Sequence, residues 1–443
     1  MMTKPRKHAF MAVENASYFG SMFRLAKALI TENNFRVTIH FPRSYPGSES
    51  HILQARSIGI HVLADCSPKL GTYVQDAGYS RIKRQARRIR CFEEIYYFSK
   101  EYSFVKLLMR STKEYFKREA VECLILPADN RFHSHYYIKV AREMNIRSII
   151  APDWFTGEHE LIETLGNSKV HQFKGLFALL LRIWIPEYLK KNPYSKRTWL
   201  LPIRLSDATL HRIFQIKVPV PWLLHSGNSN VILCESIWAM NFAKKLGIDS
   251  SKLHVTGSAT HDEMYKINES SQKNSLLRIV AAIPPDMFGS RFGKNLEFLS
   301  YQQMLEYWVA KLKSITDAEI VVSLHPSIDP SIREFFGDSG IRISDKGIHA
   351  ELPGASLFVA SISSTIQWAM SLGIPIINFD LYQYGYPDFV EIPIISNVSS
   401  KIDFEIALSN ASFGHFPKRE NSSEIEKYGK LDGLAVTRIL KHL

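Results

Sequence analysis

Short apolar runs alternate with segments of helical periodicity along almost the whole chain. HAFMAVE (His8–Glu14) leads into SMFRLAKALITEN, and RVTIHF leads into SHILQARSIGI. CLILPAD (Cys123–Asp129) leads into HYYIKVAREMN, and NVILCES (Asn230–Ser236) into SIWAMNFAKKLGI. Runs that are apolar throughout, not at every second position, suit strands buried on both faces, and the amphipathic segments supply the covering helices. The expected class is α/β with parallel sheets. The alternation pauses at the polar stretch NESSQKNS (268–275), which has linker composition. It restarts with LLRIVAAIPP, a long helical segment, EIVVSLHP and LFVASISST. Two doubly wound, Rossmann-like domains facing a cleft follow from this pattern, residues 1–267 and 276–443. The last helix, near LAVTRILKHL, has the option of packing back on the first domain.

Two segments depart from the alternation, at about 80–117 and 170–224. The first is basic, aromatic and helical in pattern, and it opens with RIKRQARRIR (Arg81–Arg90). A solvated helix face and a polymer- or membrane-contacting patch are both readings of such a run. In the second, Phe173, Leu176, Phe177, Leu180, Leu181 and Trp184 recur at the spacing of one broad helix face. That face is either buried core or a membrane-surface helix. Its apolar run, GLFALLLRIWI (Gly175–Ile185), is too short to span a bilayer.

Composition narrows the class without choosing a function. Of 443 residues, 45% are apolar and 22% charged, which is globular and not disordered. Lys and Arg outnumber Asp and Glu by 55 to 43, favouring anionic partners. The four cysteines form no CxxC pair, which fits reduced thiols and a cytoplasmic setting, peripheral on the inner face of the plasma membrane if the 170–224 helix binds lipid. No signal-peptide pattern opens the chain. P-loop, GxGxxG and DxD motifs are absent, which weighs against ATPase and NAD readings and implies neither a metal nor a cofactor.

The densest chemistry follows the apolar run Leu357–Ile362, where Ser361, Ser363, Ser364 and Thr365 put four hydroxyls into five positions. Hydroxyls between a buried strand and a helix start either cap the helix or help hold a phosphate at its N-terminus. A second strand ends at His325-Pro326, and Pro326 stops the strand so that His325 faces the same crevice. The order strand–HP, then strand–SS–helix–LGIPII, preceded by VTGSATHD before the linker, resembles the GT-B class of nucleotide-sugar glycosyltransferases. Within it, the pair resembles motifs of bacterial sialyltransferases and capsule-polysaccharide transferases. The resemblance covers roughly residues 230–388. It implies that His325, Pro326, Ser363 and Ser364 contact the nucleotide of a sugar donor, CMP-sugar first and UDP-sugar second. It also places Arg291 and Lys294, in the loop GSRFGKN, near the donor phosphates. The acidic-acidic-glycine motif that carries the base in those families has no counterpart here.

The first half offers carboxylates instead. Asp129 and Asp153 end apolar strands, so both are expected to point into the cleft. Glu158 follows Asp153 in APDWFTGEHE, the segment nearest in layout to the missing motif. Asp153 is the first choice for a base that deprotonates an acceptor hydroxyl, Glu158 the second, and Asp129 the third. Glu14 and His133 come next, and helix capping is the alternative for each aspartate. Arg131 and His135 flank the same turn. The leading function is an inverting, metal-independent glycosyltransferase that moves a sugar onto a surface polysaccharide or lipooligosaccharide, its acceptor a glycan or lipid-linked glycan. The competing readings are a UDP-N-acetylglucosamine 2-epimerase-like enzyme and a non-catalytic anionic-polymer or lipid-binding protein. Nucleic acid is not an expected partner.

Overall fold

The computed structural model describes residues 7–33, 35–64, 90–130, 133–152, 157–166, 168–270, 277–291, 295–325, 328, 330–416 and 422–443. The chain divides into two compact units. Unit 1 comprises Met1–Leu233, Phe242–His254 and Leu440–Leu443; unit 2 comprises Cys234–Asn241 and Val255–Ile439.

Unit 1 is built on a seven-stranded sheet of β1 (His8–Ala12), β2 (Arg36–Phe41), β3 (His61–Ala64), β4 (Cys123–Leu126), β5 (Arg147–Ile150), β9 (Val231–Cys234) and β10 (Leu253–Val255). A separate small antiparallel sheet holds β6 (Gln172–Lys174), β7 (Lys190–Lys191) and β8 (Thr198–Leu200), in the order β6-β8-β7. The large sheet runs β10-β9-β5-β4-β1-β2-β3, with β1 parallel to both β2 and β4. Every residue of β1 and of β4 is buried, as their unbroken apolar sequences require when helices cover both faces. Six helices of this unit matter below: α1 (Ala16–Asn33), α2 (Arg90–Arg118), α3 (Ser134–Glu143), α4 (Glu158–Leu165), α5 (Gly175–Trp184) and α6 (Leu205–Ile213). The last two belong to the 170–224 insertion, which has its own core of Phe173, Leu181, Ile185, Tyr188, Leu201 and Ala208 with neighbours.

Unit 2 carries a six-stranded sheet of β11 (Leu277–Ile283), β12 (Ala318–Leu324), β13 (Arg342–Ile343), β14 (Leu357–Ala360), β15 (Ile376–Phe379) and β16 (Ile395–Val398). Its order is β13-β12-β11-β14-β15-β16, all parallel. Counted within the unit this is 3-2-1-4-5-6, the doubly wound order of dinucleotide-binding sheets. Trp308, Phe379 and Phe404 stack in its core, with Phe379 and Phe404 ring centroids 4.5 Å apart.

The two expected Rossmann-like domains are therefore present, with a different boundary. Residues 255–267, expected with the first domain, belong to unit 2. There the helix Ala259–Ser270 receives the final helix of the chain: the Asp262 carboxylate accepts the N–H groups of Ala435 and Val436, both at 2.9 Å. A carboxylate at a helix N-terminus satisfies two donors that have no partner within the helix. The final helix, Ala435–Leu440, lies with unit 2 up to Ile439, and Leu440–Leu443 belong to unit 1. The first insertion is helical over Arg90–Arg118; residues 81–89, most of the basic run, lie outside the described residues.

Candidate functional site

In an open parallel sheet the point where strand order reverses opens a crevice beyond the carboxyl ends of two neighbouring strands. In unit 1 the reversal lies between β1 and β4. Glu14 follows β1, and His133 precedes α3 in the turn after β4. The two meet: His133 Nδ1 bonds the Glu14 carboxylate, and the His133 backbone N–H donates to Glu14 Oε1 at 3.1 Å. On the other side of the ring, Nε2 lies 2.6 Å from Oε1 of Glu101, brought in by α2. Arg43, just past β2, donates to both Glu101 oxygens at 2.9 and 2.8 Å, with its guanidinium over the Phe104 ring.

This is a charge-compensated chain: carboxylate, imidazole, carboxylate, guanidinium. Burial by itself would lower the pKa of His133, but Glu14 and Glu101 outweigh it and hold the ring up at about 9. Burial would raise Glu101, but His133 and Arg43 outweigh it and hold the carboxyl down at about 2. At neutral pH His133 is an imidazolium that donates from both nitrogens, so it has no lone pair with which to take a proton.

The network forms one wall of a cavity of about 330 Å³, near the small end of ligand pockets. Tyr97 and Tyr136 add phenol rings, and Asn130, His135 and His211 close one side. Burial pushes His135 well below its ordinary value and His211 to about 3, so both rings are neutral. The facing wall comes from the insertion: Arg204, over the Tyr97 ring at 4.0 Å, then Ser206 and Asp207 at the start of α6. Asp207 differs from the other acids here. It is half-buried, and among the described residues no hydrogen bond holds its carboxylate. Burial first, and the Glu101 charge second, push it up to about 6 against the pull of His133 and Arg204. The chain sequence reads Asp207 as an ordinary acid in the first turn of a helix, and nothing in LSDATLHRI marks it otherwise.

The expected bases fall elsewhere. Asp129 is fully buried, and its two oxygens accept from the backbone N–H groups of Ser226, Asn228 and Ser229 and from the hydroxyls of Ser226 and Ser229. It anchors the 226–229 loop, with Asn130 beside it holding the carbonyls of Pro221 and Leu223. Glu158 opens α4 and is ion-paired with Lys190 of β7. Asp153 and Arg131 lie outside the described residues, as do Lys294 and Pro326.

In unit 2 the reversal lies between β11 and β14, and the hydroxyl-rich turn follows β14 directly. Ile362 has φ +44°, a left-handed conformation that is costly for a β-branched residue. Its N–H donates to Asn378 Oδ1 at 2.9 Å, and Asn378 donates to Asn397 Oδ1 at 2.9 Å, tying the ends of β14, β15 and β16 together. Ser363 Oγ lies 2.8 Å from Thr365 Oγ1 and accepts from the Thr365 N–H, so one hydroxyl does local turn work. The helix that follows, α7 (Ile366–Ser371), is short and has no side-chain cap. Ser364 is exposed. Ser361 Oγ and both amide atoms of Gln367 are buried, without a hydrogen-bond partner among the described residues. Such groups each cost about 1–3 kcal/mol unless something meets them.

His325 follows β12, which pairs with β11 and not with β14, so one strand separates it from the turn. The residue is exposed as a whole, yet burial lowers the pKa of its ring, and its carbonyl accepts from the Ile328 N–H. Arg291 is buried: Nε donates to the Tyr382 carbonyl at 3.0 Å, a second nitrogen to that of Gln383 at 2.7 Å, and its guanidinium covers the Tyr384 ring. It braces the loop after β15. Among the described residues no group of three His, Cys, Asp or Glu side chains is placed to hold a metal ion.

No protein-family model matches the chain, and no curated protein matches it by sequence. Solved structures match it over nearly its full length. A UDP-N-acetylglucosamine 2-epimerase is 12% identical, with 99% of this chain and 95% of that one covered and a TM-score of 0.51. The calicheamicin glycosyltransferase CalG4 is 10% identical, with 99% and 95% covered and a TM-score of 0.51. A UDP-glucosyltransferase from Polygonum tinctorium is 15% identical, with 100% and 98% covered and a TM-score of 0.50. At such identities the likeness shows the fold alone. The chain has two Rossmann-like domains of the type shared by GT-B glycosyltransferases and UDP-N-acetylglucosamine 2-epimerases.

Proposed function

We propose that the chain is a nucleotide-sugar-dependent glycosyltransferase that inverts the anomeric centre without a metal. The observation that carries this reading is the Asp207-lined cavity, built entirely within unit 1. A transferase needs a place for an acceptor separate from its donor site, and that cavity supplies one. The donor nucleotide is assigned to the other unit, at Ser361, Ser363, Ser364 and Thr365, where the strand-order reversal, the strained Ile362 and the unpaired Gln367 amide support a ligand site. His325 is kept as a contact to base or sugar, whereas Arg291 supports the donor loop from behind.

In this reading Asp207 is the general base, ahead of Asp153 and Glu158, because its carboxylate faces the cavity and is not bound by another side chain. The acceptor O–H gives its proton to Asp207 as the oxygen attacks the anomeric carbon. The bond from that carbon to the phosphate oxygen breaks, and the nucleotide leaves with the electron pair. Backbone N–H groups and hydroxyls at the Ser-rich turn would stabilise the leaving phosphate. The acceptor class is a glycan or lipid-linked glycan, since Tyr97, Tyr136 and Arg204 offer polar and aromatic contacts of the kind sugars take.

The named activities of the solved neighbours make UDP-sugars the first donors to test; a preference for CMP-sugars has no support from them. They favour one second reading, an epimerase acting on a UDP-sugar alone. Incubating the purified protein with UDP-, CMP- and GDP-sugars, with and without oligosaccharide acceptors, separates the two. Acceptor-dependent nucleotide release with a new glycosidic bond is the expected result. A new sugar stereoisomer formed with no acceptor would establish the epimerase instead, and no thermal shift with any nucleotide sugar would remove both.

A further inference from the structure

Helix α5 carries its apolar residues on the wrong side for a soluble helix. Ala178 and Leu181, with Ile185 just beyond, face the small core of the insertion. Phe173 and Leu181 of the expected single face are buried, but its other members point outward. Leu176 is 72% and Ile183 77% exposed, and Phe177, Leu179, Leu180 and Trp184 lie between 43% and 54%. Gly175, at φ +60°, turns the chain from β6 straight into the helix and so sets which side faces out. The one charged residue, Arg182, lays its guanidinium over Trp199 at 4.5 Å. Contiguous exposed apolar surface of this kind marks a contact site.

The surroundings identify the partner. Residues 170–224 hold nine Lys and Arg against two acids, Glu187 and Asp207, the larger part of the chain's net charge of +12. Lys190 is ion-paired with Glu158 and Arg212 with Glu187, whereas Lys174, Lys191, Lys196 and Arg197 are exposed. In the small sheet Lys174 pairs with Thr198 and Lys191 with Trp199, so these four cations share the strands and hairpin from which α5 departs. A second copy of this surface would repel its own charge. At about 1.5 Å per residue, α5 is about 15 Å long and cannot cross a bilayer core of about 30 Å. Among the described residues no helix is long and apolar enough to do so.

We propose that α5 docks the protein on an anionic membrane surface, with Leu176, Phe177, Leu180, Ile183 and Trp184 in the acyl boundary and the flanking cations on lipid phosphates. The inference does not rest on the donor or on transfer chemistry, since it is read out by binding alone. The test is flotation with phosphatidylcholine vesicles, with and without phosphatidylglycerol, at low and high salt. The parent should float with phosphatidylglycerol vesicles at low salt and be released by high salt. Leu180→Glu/Ile183→Glu should bind at least about tenfold more weakly, with an unchanged melting temperature because both side chains are exposed. Lys196→Ala/Arg197→Ala should weaken binding by about fivefold per charge and flatten the salt dependence. A parent that stays in the aqueous phase overturns the proposal. So does a parent that floats equally with its Leu180→Glu/Ile183→Glu variant, or a concentration-dependent dimer that the same variant dissolves.

Discussion

At the strand-order reversal of unit 1 the chain places two carboxylates, an imidazolium and a guanidinium; at that of unit 2 it places hydroxyls and an amide. The two sheets share one winding logic, yet the first crevice is filled with charges that satisfy one another, whereas in the second the buried Ser361 hydroxyl and Gln367 amide have no partner among the described residues. The contrast shows how one fold divides labour. Compensated charge forms a wall against which Asp207, whose carboxylate no hydrogen bond holds among the described residues, keeps a raised pKa. In the proposed function, the unpaired Ser361 hydroxyl and Gln367 amide beside the strained Ile362 serve an anionic ligand.

Breaking that wall should have the largest effect. Glu101→Gln removes one partner of a buried ion pair and leaves His133 and Arg43 undercompensated, so unfolding in urea should show a loss of roughly 3–5 kcal/mol. The pH dependence carries a sign. The contribution of His133 is fully present below about 6.5 and is lost as pH rises through about 9. That of Glu101 is present above about 4.5 and is lost as pH falls toward about 2. Melting temperature should therefore decline as pH rises from about 6.5 to about 9 in the parent and less steeply in His133→Gln.

Asp207→Asn tests the carboxylate on that wall. Transfer should fall by about 100-fold or more while donor affinity persists, and the parent's rate should rise as pH passes through about 6. Because the folded state raises this pKa, the stabilising contribution of Asp207 is present below about 3.8 and lost as pH rises through about 6. Asp207→Asn is therefore expected to melt higher than the parent near about pH 8, losing activity while gaining stability. Full activity in Asp207→Asn, with loss in Asp153→Asn, would return the base to Asp153.

In unit 2 the sharper variant is Ser364→Ala, because Ser364 is exposed while Ser363 also supports the turn. Nucleotide-sugar affinity should drop by about tenfold, the scale of one charge-assisted hydrogen bond, with unchanged stability. Calorimetry showing parental affinity would remove the turn from the donor site. The smallest expected effect is that of EDTA: transfer should be unchanged, and a loss restored by Mn²⁺ would contradict metal independence.

The apolar runs at residues 8–14, 123–129 and 357–362 determined by themselves that the chain forms buried parallel strands, because continuous hydrophobicity is a local property that only two-sided burial satisfies. The hydroxyl cluster at 361–365 was equally legible, since it sits on one contiguous segment. What the sequence could not show was company. Glu14, Glu101 and His133 are far apart along the chain and meet only because β1 and β4 are neighbours and α2 passes over them. Asp129 carries the same side chain in the same strand-end position as an active-site acid would, but its five donors come from a loop about a hundred residues later. Asp207 is an unremarkable helix acid until an insertion folds it against a charged wall. The broad apolar face of 173–184 was visible as a pattern, but its orientation was not: the three-stranded sheet and the left-handed Gly175 turn Ala178 and Leu181 inward and leave the larger side chains outside. Periodicity records which residues share a face, whereas the packing of other elements decides what that face meets.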